Sequence, residues 1–403
     1  MRRCGWLLVV LMLASPAWAA RKVTVQQLKE LLVSLQQANK SDADVASALK
    51  MIELSEELTR TTMNSLVSYV PGPLSTEQVY ILEAESATLA PPASDLPSDA
   101  APDAAAQKAI LDKAVDYASK TYAQLPHLTA SKTTLRFQDN VEAVEGCSGL
   151  AGCTKEADVS FGLSTPVSFL HFIHSTETHV TSDHGVEKLP QVKDKTRWGA
   201  NRMIELFEPD PSLGAVLQEA QATGSIQWQR WELVNGKQAA VYSFMVHKKD
   251  SRMAVDVCCF PDVTQAGVAR FYNSMSASSI AGSEAAPGGA GGVAGNAQTS
   301  TDWLHFKATV PYHGELFIEP DSGIVVRMIT EAEFKASEVV HQIDTRIDYG
   351  PVAVGGKVLV LPVRTILNTE VVPNGESGAG RYTSRRTLFT SEYKGYQLAA
   401  GAH

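Results

Sequence analysis

The sequence lacks the short signatures that announce a familiar chemistry. It has no G-x-S-x-G, no H-E-x-x-H, no C-x-x-C and no G-x-x-x-x-G-K-[ST]. That removes the nucleophile elbow, the helix-borne zinc pair, the thiol pair and the phosphate loop. Glycine-rich "GGAGGVAG" (288–295) follows no strand, and "GPVAVGGKV" (350–358) lacks a lysine in the required place and reads as a hairpin turn. No catalytic residue, resident metal or cofactor is expected. Positive charge is short, with 35 basic against 44 acidic residues and a net of −9. Nucleic-acid affinity comes largely from neutralising phosphates, so nucleic acid is excluded as a partner, and generic attachment to anionic membranes is disfavoured. A second long apolar run is also absent.

The first apolar run has the three parts of a secretory leader. Arg2 and Arg3 precede "GWLLVVLMLA" (5–14), and "SPAWA" (15–19) places Ala17 and Ala19 at small-residue cleavage positions. A bilayer span needs ~20 apolar residues, so the run is too short to cross. The expectation is a signal peptide over 1–19, export to the periplasm or the extracellular space, and no transmembrane segment in the mature chain. Four cysteines then remain: Cys147, Cys153, Cys258 and Cys259. An even number in an exported chain points to disulfides. "CSGLAGC" closes readily through its glycines, and the alternative ties that loop to the adjacent pair by two bonds.

Residues 20–89 read as a helical module. Thr24-Val-Gln-Gln27 is a capping-box pattern, and Val25, Leu28, Leu31, Leu32 and Leu35 follow at helical spacing. Ser41 caps a second helix with Val45, Ala48, Leu49 and Ile52 on its apolar side. A third carries Leu58, Met63, Leu66 and Val70 until "PGP" (71–73) stops it, and Ser75 with Gln78 starts a fourth. The module resembles a helix-turn-helix unit, but Arg21–Ala90 holds 6 basic and 9 acidic residues, the wrong sign for DNA. Pro-, Ala-, Ser- and Asp-rich 90–106 reads as a linker. A helix over 107–124 follows.

From Thr129 onward apolar and polar residues alternate between Gly-, Asn-, Asp- and Pro-rich turns. Residues 107–398 therefore read as a large antiparallel β domain with a few packed helices and a flexible glycine-rich insertion at 274–300. The fold class is α+β. Asn235-Gly236 is the strongest hairpin signal. In "IDTRIDY" Ile343, Thr345, Ile347 and Tyr349 share one face, while Asp344, Arg346 and Asp348 share the other. Those carboxylates are candidates for acid–base work, or for a charge ladder with Arg364 on the next strand. His171, His174, His179 and His184 are the one candidate metal cluster, but strand parity splits them between faces. Trp228 and Trp231 have opposite parity, which predicts that one faces away from the core.

"YHGELFIEPDSGIVVRM" (312–328) reads as strand, turn, strand. Leu316 and Ile318 face one side and Phe317 the other, while Val326 and Met328 oppose Val325 and Arg327. Pro320 suits the start of the turn and Gly323 its left-handed exit. Both faces carry apolar groups, the pattern of a wall that holds something hydrophobic. Together with the leader, the helix ending in "LPHLTASKTTLRF" and "IDTRIDYGPVAVGGKVLVLPVRTIL", this stretch resembles the periplasmic lipoprotein-carrier half-barrels of the bacterial envelope. It is also similar to secreted bacterial envelope proteins with the same tail. The resemblance implies an incomplete antiparallel barrel around helices, a lipid, lipoprotein or other hydrophobic ligand, and no catalysis. The ligand-contacting residues expected from it are Leu316, Phe317, Ile318, Val325, Val326 and Met328. The rival expectations are a scaffold that binds another envelope protein, and a hydrolase whose site lacks a familiar signature.

Overall fold

The structure, a computed structural model, describes residues 21–139, 169–188, 205–207, 212–261, 303–371 and 386–399. The leader, Cys147, Cys153 and the insertion at 274–300 lie outside the described residues. The expected disulfides, which involve Cys147 and Cys153, therefore fall outside them too. The chain divides into two compact units, one ending at Pro92 and the other beginning at Ala93.

The first unit contains β1 (Arg21–Val23), α1 (Val25–Gln37), α2 (Asp42–Lys50), β2 (Ile52–Leu54), α3 (Arg60–Leu66) and α4 (Pro73–Glu85). The capping box at Thr24 and Gln27 forms, and Ser41 caps α2. Leu28, Leu32, Val45, Leu49, Leu58, Met63, Leu66, Val79 and Leu82 build one core. Two expectations are corrected. Ile52 is not on a helix, because α2 ends at Lys50 and Ile52–Leu54 pairs in parallel with Arg21–Val23. Ile52, which is β-branched, and Leu54 turn inward there on alternate positions. Ser75 is not an N-cap either. α4 starts two residues earlier at Pro73, and the Asp42 carboxylate of α2 accepts the Leu74 and Ser75 amides at 3.0 and 2.9 Å. One helix thus caps another, and no sequence-local pattern carries that signal.

The second unit contains α5 (Ala104–Lys120), β3 (Leu128–Gln138), β4 (His171–Asp183), β5 (Val186–Lys188), β6 (Glu205–Phe207), α6 (Leu213–Thr223), β7 (Gln227–Val234), β8 (Lys237–Val246), β9 (Ala254–Pro261), β10 (Trp303–Thr309), β11 (Tyr312–Ile318), β12 (Val325–Ala332), β13 (Val340–Val354), β14 (Lys357–Val371) and β15 (Arg386–Leu398). Ten strands form one antiparallel sheet in the order β5-β4-β3-β15-β14-β13-β12-β11-β8-β7. β5 and β7 are its ends, so the sheet is open and not closed into a barrel. A smaller sheet has the order β10-β9-β6. Among the described residues no helix is long and apolar enough to cross a membrane.

The expected linker is partly fastened. The Trp231 indole donates to Ala100 O at 3.0 Å, and the Gln238 amide donates to Asp99 at 3.2 Å. α5 begins at Ala104, earlier than expected, because Asp103 accepts the Ala106 amide at 2.8 Å and caps it. Ile110, Ala114 and Ala118 of α5 and Leu213, Val216, Leu217 and Ala220 of α6 pack on one face of the large sheet, against Tyr242, Phe244, Leu316, Met328 and Ile343. Burying each large aliphatic side chain there contributes ~1.5–3 kcal/mol before ordering costs.

The β11–β12 turn shows how tightly this face is closed. Gly323 has φ +74°, and a Cβ on it would stand 2.5 Å from the Lys113 carbonyl carbon of α5. The Lys113 ammonium donates to Pro320 O at 3.0 Å and Asp321 O at 3.2 Å, holding the tip against the helix. Gly323→Ala adds left-handed strain of ~1–2 kcal/mol to that overlap. We expect a loss of about 2 kcal/mol or more by urea unfolding, and a loss below 0.5 kcal/mol (~a third of the strain alone) would refute the close packing.

Candidate functional site

The stretch from Tyr312 to Met328 is a hairpin, but its strict alternation is broken. Phe317 pairs with Arg327 and Ile318 with Val325, leaving Val326 as the extra residue of a bulge. Val325, not Val326, therefore shares a face with Met328. Leu316, Ile318, Val325 and Met328 are fully buried in the core under α5 and α6. Phe317 is equally buried on the opposite face with Val234, Ala239, Val241 and Ile329, and half-buried Val326 packs beside them. A second bulge, between Trp228 and Arg230, corrects the parity of the tryptophans. Both Trp228 and Trp231 pack against the main core, with ring centroids 4.8 Å apart.

The face carrying Phe317 also carries charge. Arg230 forks onto Glu315 at 2.6 and 2.8 Å and donates to Glu232 at 3.0 Å. Glu232 lies 3.5 Å from Arg327, whose Nε donates to Asp348 Oδ1 at 2.7 Å. Arg346 donates to both Asp348 oxygens at 3.2 Å. The Arg327 and Arg230 guanidiniums lie 5.2 and 6.0 Å from the Phe317 ring centroid. Burial by itself would raise the Asp348 carboxyl. Arg346 and Arg327 outweigh it and hold the group well below the usual carboxylate range. Asp348 stands opposite Arg364, and Arg364 opposite Glu392, so the alternating charges form a ladder across β12 to β15. Asp344 stands further along the same face and is pushed up to about 7, first by burial and then by Glu331, against the hydrogen bond from Gln342.

The other half of the helix-bearing face holds a cavity of about 60 Å³. Its walls come from the six neighbouring strands β5, β4, β3, β15, β14 and β13, from Tyr122 beyond α5, and from Ser212 and Leu213 at the start of α6. Leu128, Ala130, Val180, Ile347 and Leu361 supply apolar surface. Four tyrosines line it as well. Tyr122 donates to Gly185 O at 2.9 Å, Tyr396 to Pro362 O at 2.7 Å, and Tyr393 to Glu187 at 2.8 Å. Tyr349 meets the Tyr122 ring edge-on at 6.0 Å. Lys132 lies next to the arrangement, 3.2 Å from Glu187 and 5.3 Å from the Tyr393 ring centroid. Burial, then Tyr122 and Glu187, push the Tyr396 phenol well above its usual value. Tyr393 and Tyr396 have opposite parity, yet they stack at 6.4 Å because β15 bulges at Gly395, whose φ is +64°.

No protein-family model, curated protein or solved structure matches the chain.

The site must therefore be read from its own geometry. None of the six expected ligand residues lines this cavity. Thr345, Ile347 and Tyr349, read from the sequence only as one face of a strand, do line it. Tyr122, Tyr393, Tyr396 and Glu187 were not singled out. Gly395 between two tyrosines in "YKGYQL" is the signal that marks the bulge, since glycine takes the left-handed position such a bulge requires. The four histidines of β4 and the turn after it do not gather. His171 and His174 are half-buried and His179 and His184 exposed, and among the described residues no three His, Cys, Asp or Glu side chains converge in a way that could hold a metal ion.

Proposed function

We propose that the protein is an exported, non-enzymatic envelope protein that holds a lipid, lipoprotein or other hydrophobic ligand against the helix-bearing face of its open sheet. The observation that carries this is the cavity between that face and the ends of α5 and α6, with mainly apolar walls and a few fixed polar groups; at about 60 Å³ it takes one end of such a ligand rather than the whole of it. The leader-like N-terminus and the likeness to lipoprotein-carrier half-barrels support it. The driving force is burial of apolar surface at ~25 cal/mol per Å², less the cost of ordering the ligand.

Native mass spectrometry of protein purified without detergent tests the reading. The expected result is an adduct of lipid mass that disappears in Ala130→Phe, which fills the cavity from the buried side of β3. Circular dichroism of the variant shows whether the fold survives. A ligand-free mass, with no uptake of added fatty acid, fatty alcohol or lipopeptide, would overturn it.

A further inference from the structure

The cavity holds a buried polar atom that has no partner among the described residues. Thr345 is 5% exposed, lines the cavity, and its Oγ1 makes no hydrogen bond to any atom of the described residues. Leaving such a group unsatisfied in a buried place is costly, because the hydroxyl gives up its hydrogen bonds to water and gains none. The phenols of Tyr122, Tyr396 and Tyr393 are already donating to Gly185, Pro362 and Glu187. Among the described residues Thr365 Oγ1 reaches only Tyr393, at 3.5 Å. Thr345 and Thr365 lie diagonally across β13 and β14 on the same face, since Thr365 pairs with Ile347. Such diagonal neighbours are ~7–8 Å apart, room for one group between them.

We infer that this end of the cavity receives an uncharged hydroxyl carried on an apolar chain, as in a long-chain alcohol or a monoacylglycerol. This rests on the ligand-binding reading above and specifies its ligand. A hydroxyl both donates and accepts, and so satisfies Thr345 whichever way its own proton points. A fatty-acid carboxylate fits poorly. The described lining includes the Glu187 carboxylate and no Lys, Arg or His, and the nearby Lys132 is directed onto Glu187. A second carboxylate there would meet like charge without a new cation. An alkane would leave Thr345 unsatisfied.

The test is to offer 1-hexanol, hexanoate and hexane to the full chain at pH 8 and read affinities by calorimetry and ligand-observed NMR. The variant is Thr345→Val, which keeps the shape and removes the hydroxyl. Hexanol should bind more tightly than hexanoate. Thr345→Val should weaken hexanol about five- to tenfold, the equivalent of one hydrogen bond, and leave hexane unchanged. Without ligand the variant should melt at the same temperature or higher, because no protein bond is lost. Equal binding of hexanoate and hexanol would overturn the head-group assignment while leaving the hydrophobic-ligand reading intact. The same holds for hexanol affinity that ignores the substitution, or for a ligand-free variant that melts several degrees lower, as if a structural water held the hydroxyl. Failure of all three probes to bind would overturn the inference and the reading together.

Discussion

Asp348→Ala should destabilise the β domain by about 3–5 kcal/mol, the usual cost of removing one partner from a buried ion pair. Asp348 receives Arg327 at 2.7 Å and Arg346 at 3.2 Å, and those two side chains are 8% and 4% exposed. Without the carboxylate, two guanidiniums remain in a largely dry environment. Arg327 is further constrained by Glu232 and by the Phe317 ring. Arg346→Met should cost less, because Asp348 keeps its shorter bond to Arg327. The paired replacement Arg346→Met with Asp348→Leu should cost less than Asp348→Ala alone, since like-sized apolar groups restore packing and one guanidinium, not two, loses its carboxylate, Arg327 keeping Glu232. Urea unfolding of the three variants measures this. A cost under 1 kcal/mol for Asp348→Ala, about the worth of an exposed pair, would show that water reaches the network. The pH dependence has a definite sign. The folded-state pKa of Asp348 is depressed, so its contribution is present above the unfolded value near 4 and is lost as pH falls from there towards the lowered folded value.

The charge ladder was legible in the sequence because it depends only on alternation and on one correct neighbour. Asp344, Arg346 and Asp348 share a face, and Asp348 does stand opposite Arg364. The open antiparallel sheet, the capping box at Thr24 and the Asn235-Gly236 turn were legible for the same reason, since each is a local pattern with one physical outcome. At Asn235 and Gly236 both φ values are positive, 52° and 77°, as that dipeptide requires. What failed was parity over a distance. Val326 on β12, a bulge between Trp228 and Arg230, and a bulge around Gly395 each insert one residue and turn the following side chains to the other face. Each inserted residue is set by the neighbouring strand, which a single segment of sequence does not contain. The cavity lay beyond reach for that reason. Its tyrosines come from places as far apart as Tyr122 and Tyr396, and two of them share a wall only because β15 bulges.

Asp344→Asn should remove most of a pH dependence that runs opposite to that of Asp348. Asp344 is largely buried on β13, opposite Glu331 of β12 and Asn368 of β14, and Glu331 in turn stands opposite His313 of β11. Burial and the Glu331 charge push its carboxyl up to about 7, while Gln342 and His313 pull the other way. The folded protein thus keeps the Asp344 proton up to about pH 7, whereas the unfolded chain releases it near pH 4. Between those values the folded state binds more protons, so stability falls as pH rises. The contribution is full below pH 4 and is lost by pH 8, a change on the order of a few kcal/mol. The asparagine variant, uncharged throughout, should be more stable than the parent at pH 8 by about 2–4 kcal/mol and similar to it at pH 5. Glu331→Gln should act in the same direction, because it removes a neighbouring charge and because burial raises the Glu331 carboxyl itself. Urea midpoints at pH 5 and pH 8 decide the matter. If Asp344→Asn is destabilising at pH 8, the carboxylate is ionised and held by its hydrogen bonds, and this end of the ladder is a fixed charge. If it is stabilising only at pH 8, the sheet carries a group near neutrality whose proton strengthens the fold in mild acid.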